Sequence, residues 1–154
     1  MNQADITVHD RPVVDAALTE SERTGGPAAA LELPDGSIVT GKTSDLLGAC
    51  SALLLNALKE LAGIGHEIKI ISPQAIEPIQ SLKTKYLGSR NPRLHTDEVL
   101  IALSVSAATS KDAKLAMEQL PKLKGCQAHV SVMPGSVDIK QFKLLSIQAT
   151  FEAK

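Results

Sequence analysis

Residues 44–62 constrain the fold more than any other stretch of this chain. The run S-D-L-L-G-A-C-S-A-L-L-L-N-A-L-K-E-L-A repeats its apolar residues at helical spacing, and its polar side narrows to Asn56, Lys59 and Glu60. A helix that is apolar around most of its circumference is stable only when other elements cover it on several sides. The segment therefore reads as a central helix, capped by Thr43 or Ser44 and stopped at Gly63. The chain has 154 residues, 44% of them apolar, enough for one domain with a core. The aromatic residues are Tyr86, Phe142 and Phe151, with no Trp, so that core is built of Leu, Ile, Val and Ala.

Around this helix the pattern is mixed. Pro12 to Glu22 places Val13, Val14, Ala17 and Leu18 at helical spacing before Thr24-Gly25-Gly26-Pro27 ends it. Ala28 to Leu33 and Ser37 to Thr40 flank Pro34-Asp35-Gly36, and Asp-Gly between apolar runs is a strong hairpin signal. His66 to Ile71 reads as a third strand. Ser72 caps and Pro73 opens a helix to about Leu87, with Pro78 a source of irregularity. Gly88 to His95 is a loop. Thr96 caps the next helix, whose first turn carries Asp97 and Glu98, the sign that suits the helix dipole. A further helix spans Ser110 to Leu120, followed by a strand over Gln127 to Met133, a short helix over Val137 to Leu144 and a strand over Ile147 to Phe151. The sum is an α/β layered domain of about five strands and five to six helices, with a β-hairpin in its N-terminal half.

Charge excludes several partners. Sixteen Lys plus Arg against seventeen Asp plus Glu give a net charge of -1 without long runs of one sign, so no footprint for nucleic acid or an anionic membrane is present. No apolar run is long enough to span a bilayer, and the first residues lack a basic then apolar leader, which leads us to expect a cytoplasmic chain. Cys50 lies in a helical pattern and Cys126 at a strand start, and both read as buried thiols rather than a bridge. Cys126 and His129 fall on opposite faces of a strand, which argues against a shared metal.

Two segments carry candidate chemistry. Residues 36–43 read G-S-I-V-T-G-K-T and match the phosphate-loop spacing G-x-x-x-x-G-K-[ST]. A working loop of this kind follows a buried strand and folds its N–H groups around phosphates, whereas Ser-Ile-Val-Thr is β-forming and Asp35-Gly36 suits a hairpin. A weaker reading keeps Gly41, Lys42, Thr43 and Ser44 as an anion site at the start of the central helix; the plainer alternative is a helix cap with a solvated Lys42. The second segment, Ser89 to Glu98, gathers Arg90, Arg93, His95, Asp97 and Glu98. Arg90 or Arg93 can grip an anion and His95 can move a proton, against the alternative that these groups cap the following helix and pair locally. If both segments converge, Lys42, Thr43 and Ser44 with Arg90, Arg93 and His95 form a site for a phosphorylated or carboxylated small molecule. The competing expectation is a non-catalytic packing or oligomerisation module. No cofactor is identified by the pattern.

Several stretches in order carry a resemblance: L-P-D-G-S-I-V-T-G-K-T-S-D-L-L-G-A from Leu33, S-A-L-L-L-N-A-L-K-E-L-A-G-I from Ser51, I-S-P-Q-A-I-E-P-I-Q from Ile71, L-G-S-R-N-P-R-L-H-T-D-E-V-L-I-A-L-S from Leu87, and M-E-Q-L-P-K-L-K-G-C from Met117. On these the chain resembles the C-terminal part of a bacterial family known as domain of unknown function 1846. The resemblance implies a single domain, residues 1–154, that corresponds to the C-terminal portion of a longer protein. Its partner is then either a second copy or the N-terminal part of that protein, and the resemblance carries over no catalytic residue.

Overall fold

In a computed structural model that describes residues 12–44, 47–65, 68, 70–71 and 73–152, the chain reverses at Asp35 and Gly36. Asp35 Oδ1 accepts the Ser37 N–H at 2.9 Å and the Ser37 hydroxyl at 2.6 Å, and Gly36 takes a φ of +90° that side chains resist. This turn joins β1 (Ala28–Glu32) to β2 (Ile38–Lys42) as an antiparallel pair with Ala30 opposite Thr40. On its other edge β1 pairs antiparallel with β3 (Gln127–Val130), which lies parallel to β4 (Gln148–Phe151). The helix α6 (Ser136–Leu144) makes the crossover that a parallel pair requires, and the sheet order is β2-β1-β3-β4.

Both faces of β1 are covered, so its side chains alternate between two apolar environments. Ala30 packs with Val13 and Ala17 of α1 (Pro12–Thr24) on one face, and Ala29 and Leu31 join the main core on the other. That main core is built on α2 (Ala49–Ala62), in which nine of fourteen residues are buried. Strands β1 and β2 cover one side of it, and α4 (Thr96–Ser106) and α5 (Lys111–Met117) cover another. The sequence correctly demands a central helix, but its supposed solvent side is largely enclosed as well. Asn56 Nδ2 donates to the Thr40 carbonyl at 2.9 Å, so this amide is a tie to β2, and Lys59 is buried; only Glu60 of the three is exposed.

The sheet has four strands among the described residues rather than about five. Of the expected strand over 66–71, residues 66, 67 and 69 lie outside the described residues, while Ile68, Ile70 and Ile71 take no strand conformation. Ile70 and Ile71 are buried in the main core, so an apolar run that looks like a strand serves as a packed connection. The central helix also starts later than its pattern suggests, at Ala49 with Gly48 as cap residue. Leu47 is held extended by a parallel bridge to Leu94, and Gly48 N–H donates to the Leu94 carbonyl at 3.4 Å, which delays helix entry. Ser44 closes a local turn by accepting the Leu47 N–H at 3.2 Å, and the cap position of α2 falls to Gly48. After α3 (Pro73–Ser81) the chain widens into a π-helical turn, Leu82–Tyr86, so the irregularity falls beyond Pro78. That turn carries the Lys83 ammonium inward, where it donates to the Arg93 carbonyl at 2.6 Å and to Glu98 Oε1 at 2.9 Å.

Candidate functional site

Three helices begin around one opening of about 290 Å³ at the end of the sheet. Its wall runs from Thr43 at the end of β2 through Gly48, Ala49 and Cys50 at the start of α2. Arg93 and His95 before α4, Val130 at the end of β3, and Gly135 and Asp138 at the start of α6 also line it, with apolar groups such as Pro27, Val132 and Pro134 between them. The sheet topology explains the convergence. Strands β2 and β3 run in the same sense, both antiparallel to β1, so the chain leaves each at the same end of the sheet and enters a helix there.

Each side chain is positioned by neighbours with identifiable roles. Arg93 Nε donates to the Ser44 carbonyl at 2.5 Å, which draws the 89–95 loop against the end of β2. Leu94, fully buried, offers its carbonyl to the Ser51 hydroxyl at 2.8 Å and so locks the loop to α2. His95 rather than Thr96 occupies the cap position of α4, its backbone N–H donating to Glu98 Oε1 at 2.8 Å. Thr96 is the first helical residue, and it is spoken for elsewhere: its N–H and hydroxyl donate to Asp138 Oδ1 at 3.0 and 2.8 Å. Asp138 thereby ties α6 to α4 beneath the opening.

Electrostatics divide the cleft. Arg93 has no carboxylate partner among the described residues. The starts of α2 and α6 each have a glycine at the cap position, so no cap side chain accepts from their first N–H groups. Burial, reinforced by the Asp138 charge, pushes the Cys50 thiol far above its ordinary value. Cys50 therefore lines the site as a protonated soft wall and not as a thiolate nucleophile.

The structure separates the residues that the sequence grouped. Thr43, Arg93 and His95 share the cleft, and Ser44 contributes its carbonyl to hold Arg93. Lys42 does not join them. It pairs with Ala28 on the same sheet face as Ile38, against α1, where its charge helps lower the Glu20 carboxyl after the larger effect of the Arg23 hydrogen bond. Arg90 is exposed in the loop and lines no wall of the cleft. The phosphate-loop spacing dissolves into two structural glycines. Gly36 makes the hairpin turn, and at Gly41 the backbone of β2 touches α2: an added Cβ would overlap the Leu53 nitrogen and lie 2.7 Å from Leu53 Cα. Residues 38–42, Gly41 included, are strand paired with β1 and not a loop that folds around phosphates.

Asp138 escaped the sequence reading because an acid in the first turn of a helix is the ordinary complement to the dipole. No local signal marks it as a cleft residue, since its partner Thr96 is 42 positions away. His129, buried against the sheet face that α1 covers, bonds Glu152 Oε2 through Nε2 and Thr150 Oγ1 through Nδ1, each at 2.7 Å. Among the described residues no group of three His, Cys, Asp or Glu gathers as a metal site, and no helix is long and apolar enough to cross a membrane.

Fold and cleft thus define an α/β domain with an opening of mixed polar and apolar lining where helices α2, α4 and α6 begin. The profile described as "Domain of unknown function DUF1846, C-terminal" matches residues 9–154, and the chain belongs to this family. It is 58% identical over 154 residues to a UPF0371 protein of Corynebacterium glutamicum (strain R), covering all of this chain and 31% of that relative. A UPF0371 protein of Corynebacterium diphtheriae is 56% identical over 154 residues, again 31% of the relative's length. One from Streptococcus thermophilus (strain CNRZ 1066) is 51% identical over 152 residues, 99% of this chain and 31% of the relative. The chain spans about a third of the length of the curated relatives it matches.

Proposed function

We propose that the cleft binds a small ligand through an anionic group, a phosphate or a carboxylate. The observation that carries this reading is the convergence of the starts of α2 and α6 with Arg93 on one opening. A helix start presents N–H groups and roughly half a positive charge, and two of them beside a guanidinium make a setting suited to negative charge. The Thr43 hydroxyl adds a further donor at the rim. Asp138 opposes a bare anion, although its Oδ1 is already occupied by Thr96. A ligand with a hydroxyl or ammonium next to its anionic group would meet both signs of the cleft. Cys50, buried at this wall, contributes no thiolate to the site.

Thermal unfolding with inorganic phosphate, glycerol phosphate and citrate tests the proposal. A ligand at a hundred times its Kd stabilises the fold by about 2.7 kcal/mol. The shift is expected to disappear in Arg93→Ala and to persist in Lys42→Ala. Absence of stabilisation by all three probes, or a shift indifferent to Arg93→Ala, overturns the reading. A shift with Mg-ATP that Lys42→Ala abolishes would return the site to residues 36–43.

A further inference from the structure

Helix α4 presents an outer face that does not match a solvent-facing helix. From Val99 to Ser110 the chain carries no charged residue, yet Ile101 is 61% and Val105 is 68% exposed, with Ser104 and Ala108 exposed beside them. These positions form one stripe at helical spacing. The Ser104 hydroxyl donates to the Ile101 carbonyl of its own helix at 2.9 Å, so the stripe offers water little side-chain polarity. A helix that is apolar all round belongs in an interior. Next to it, the π-helical turn that Lys83 clamps to Glu98 exposes Leu82, Tyr86 and Leu87 at 49, 78 and 69%. Exposed apolar side chains grouped on neighbouring elements mark an interaction site.

We infer that this face of α4 is the seat of the N-terminal two-thirds of the full-length family protein. The occupant follows from length and linkage. In the relatives the matched segment is 31% of the chain, so a body about twice its size is covalently attached to it. A tethered body meets the stripe at an effective concentration in the millimolar range, far above that of a second chain in dilute solution. The cleft lies at the N-terminal end of the same helix, where the cap residue His95 lines the opening. This inference does not depend on the anion reading, since packing on α4 is measured without a ligand.

The test uses a hybrid in which this chain replaces the matched segment of the Corynebacterium glutamicum relative. Val105→Cys and, separately, Glu22→Cys on the exposed side of α1 are introduced, and maleimide modification of each site is followed by peptide mass spectrometry. In the hybrid, Val105→Cys is expected to react at least ten-fold more slowly than Glu22→Cys, while in the isolated chain the two react at similar rates. Ile101→Cys repeats the measurement should Val105→Cys impair folding. Equal rates at the two sites in the hybrid overturn the inference. Protection in the isolated chain that grows with its concentration also overturns it, in favour of a second copy.

Discussion

Replacing Gly41 with Ala separates the packing account of residues 36–43 from the phosphate-loop account. An added Cβ would overlap the Leu53 nitrogen, sit 2.7 Å from Leu53 Cα and 2.9 Å from the Ala49 carbonyl oxygen. Carbon atoms rest at about 3.5–4.0 Å, so α2 must withdraw from β2 by about 1 Å, and a gap of that size forfeits up to about half of each contact. Overpacking that flexible side chains can absorb costs about 1–3 kcal/mol. The atoms the added Cβ meets are α2 backbone, which no side-chain rotation can move aside, so the cost sits at the top of that range. Stiffening of the unfolded chain offsets about 0.4–1 kcal/mol. The net loss is then about 2 kcal/mol or more, a drop in Tm of about 4–8 °C for a chain of this size. Urea unfolding followed by far-ultraviolet circular dichroism measures it. Gly26→Ala, where nothing lies within 4 Å of the new Cβ, serves as the control and is expected to change stability by less than about 0.5 kcal/mol. A Gly41→Ala protein within about 1 kcal/mol of the parent would refute the close-contact argument.

Two further perturbations probe the supports of the cleft. Burial raises the Glu98 carboxyl, but hydrogen bonds from Lys83 and the His95 N–H, with the charges of both residues, outweigh it and hold the group below its ordinary value. Its stabilisation is present above the unfolded value of about 4.3 and is lost as pH falls through the lower folded value, so Glu98→Gln is expected to flatten the acid limb of a stability–pH curve. An unchanged acid limb would show that Glu98 adds nothing. Asp138→Ala strands the N–H and hydroxyl of Thr96, which is fully buried, and is expected to cost about 1–3 kcal/mol in urea unfolding, with Asp138→Asn recovering much of the loss.

Local chemistry made much of the architecture legible. Asp35-Gly36 encodes its own turn, because the Asp side chain satisfies Ser37 two residues on and Gly36 tolerates positive φ. The four α-helices outside residues 44–95 and the strands at Ala28, Gln127 and Gln148 fall close to their expected places. The misreadings share a cause. Ser44 and Thr96 have the chemistry of helix caps, but long-range partners reassign them: Leu94 keeps the chain extended through Leu47, and Asp138 takes both donors of Thr96. The isoleucines of 68–71 satisfy a strand pattern, yet burial at Ile70 and Ile71 needs only an apolar environment.

Sequence alone determined the α/β class, the hairpin, the central helix and the family, because each rests on local pattern or on long ordered stretches of similarity. Only the tertiary structure decided the site. Alternation along β2 sends Lys42 to the α1 face and leaves Thr43 at the strand end, one residue later. The sheet order brings the starts of α2 and α6 together from positions 49 and 136, and the bridge from Leu47 to Leu94 adds that of α4 at 96. No spacing along the chain encodes that meeting, since it depends on which strands pair and in which sense. The same packing gave Gly41 its meaning, as the point where two backbones touch.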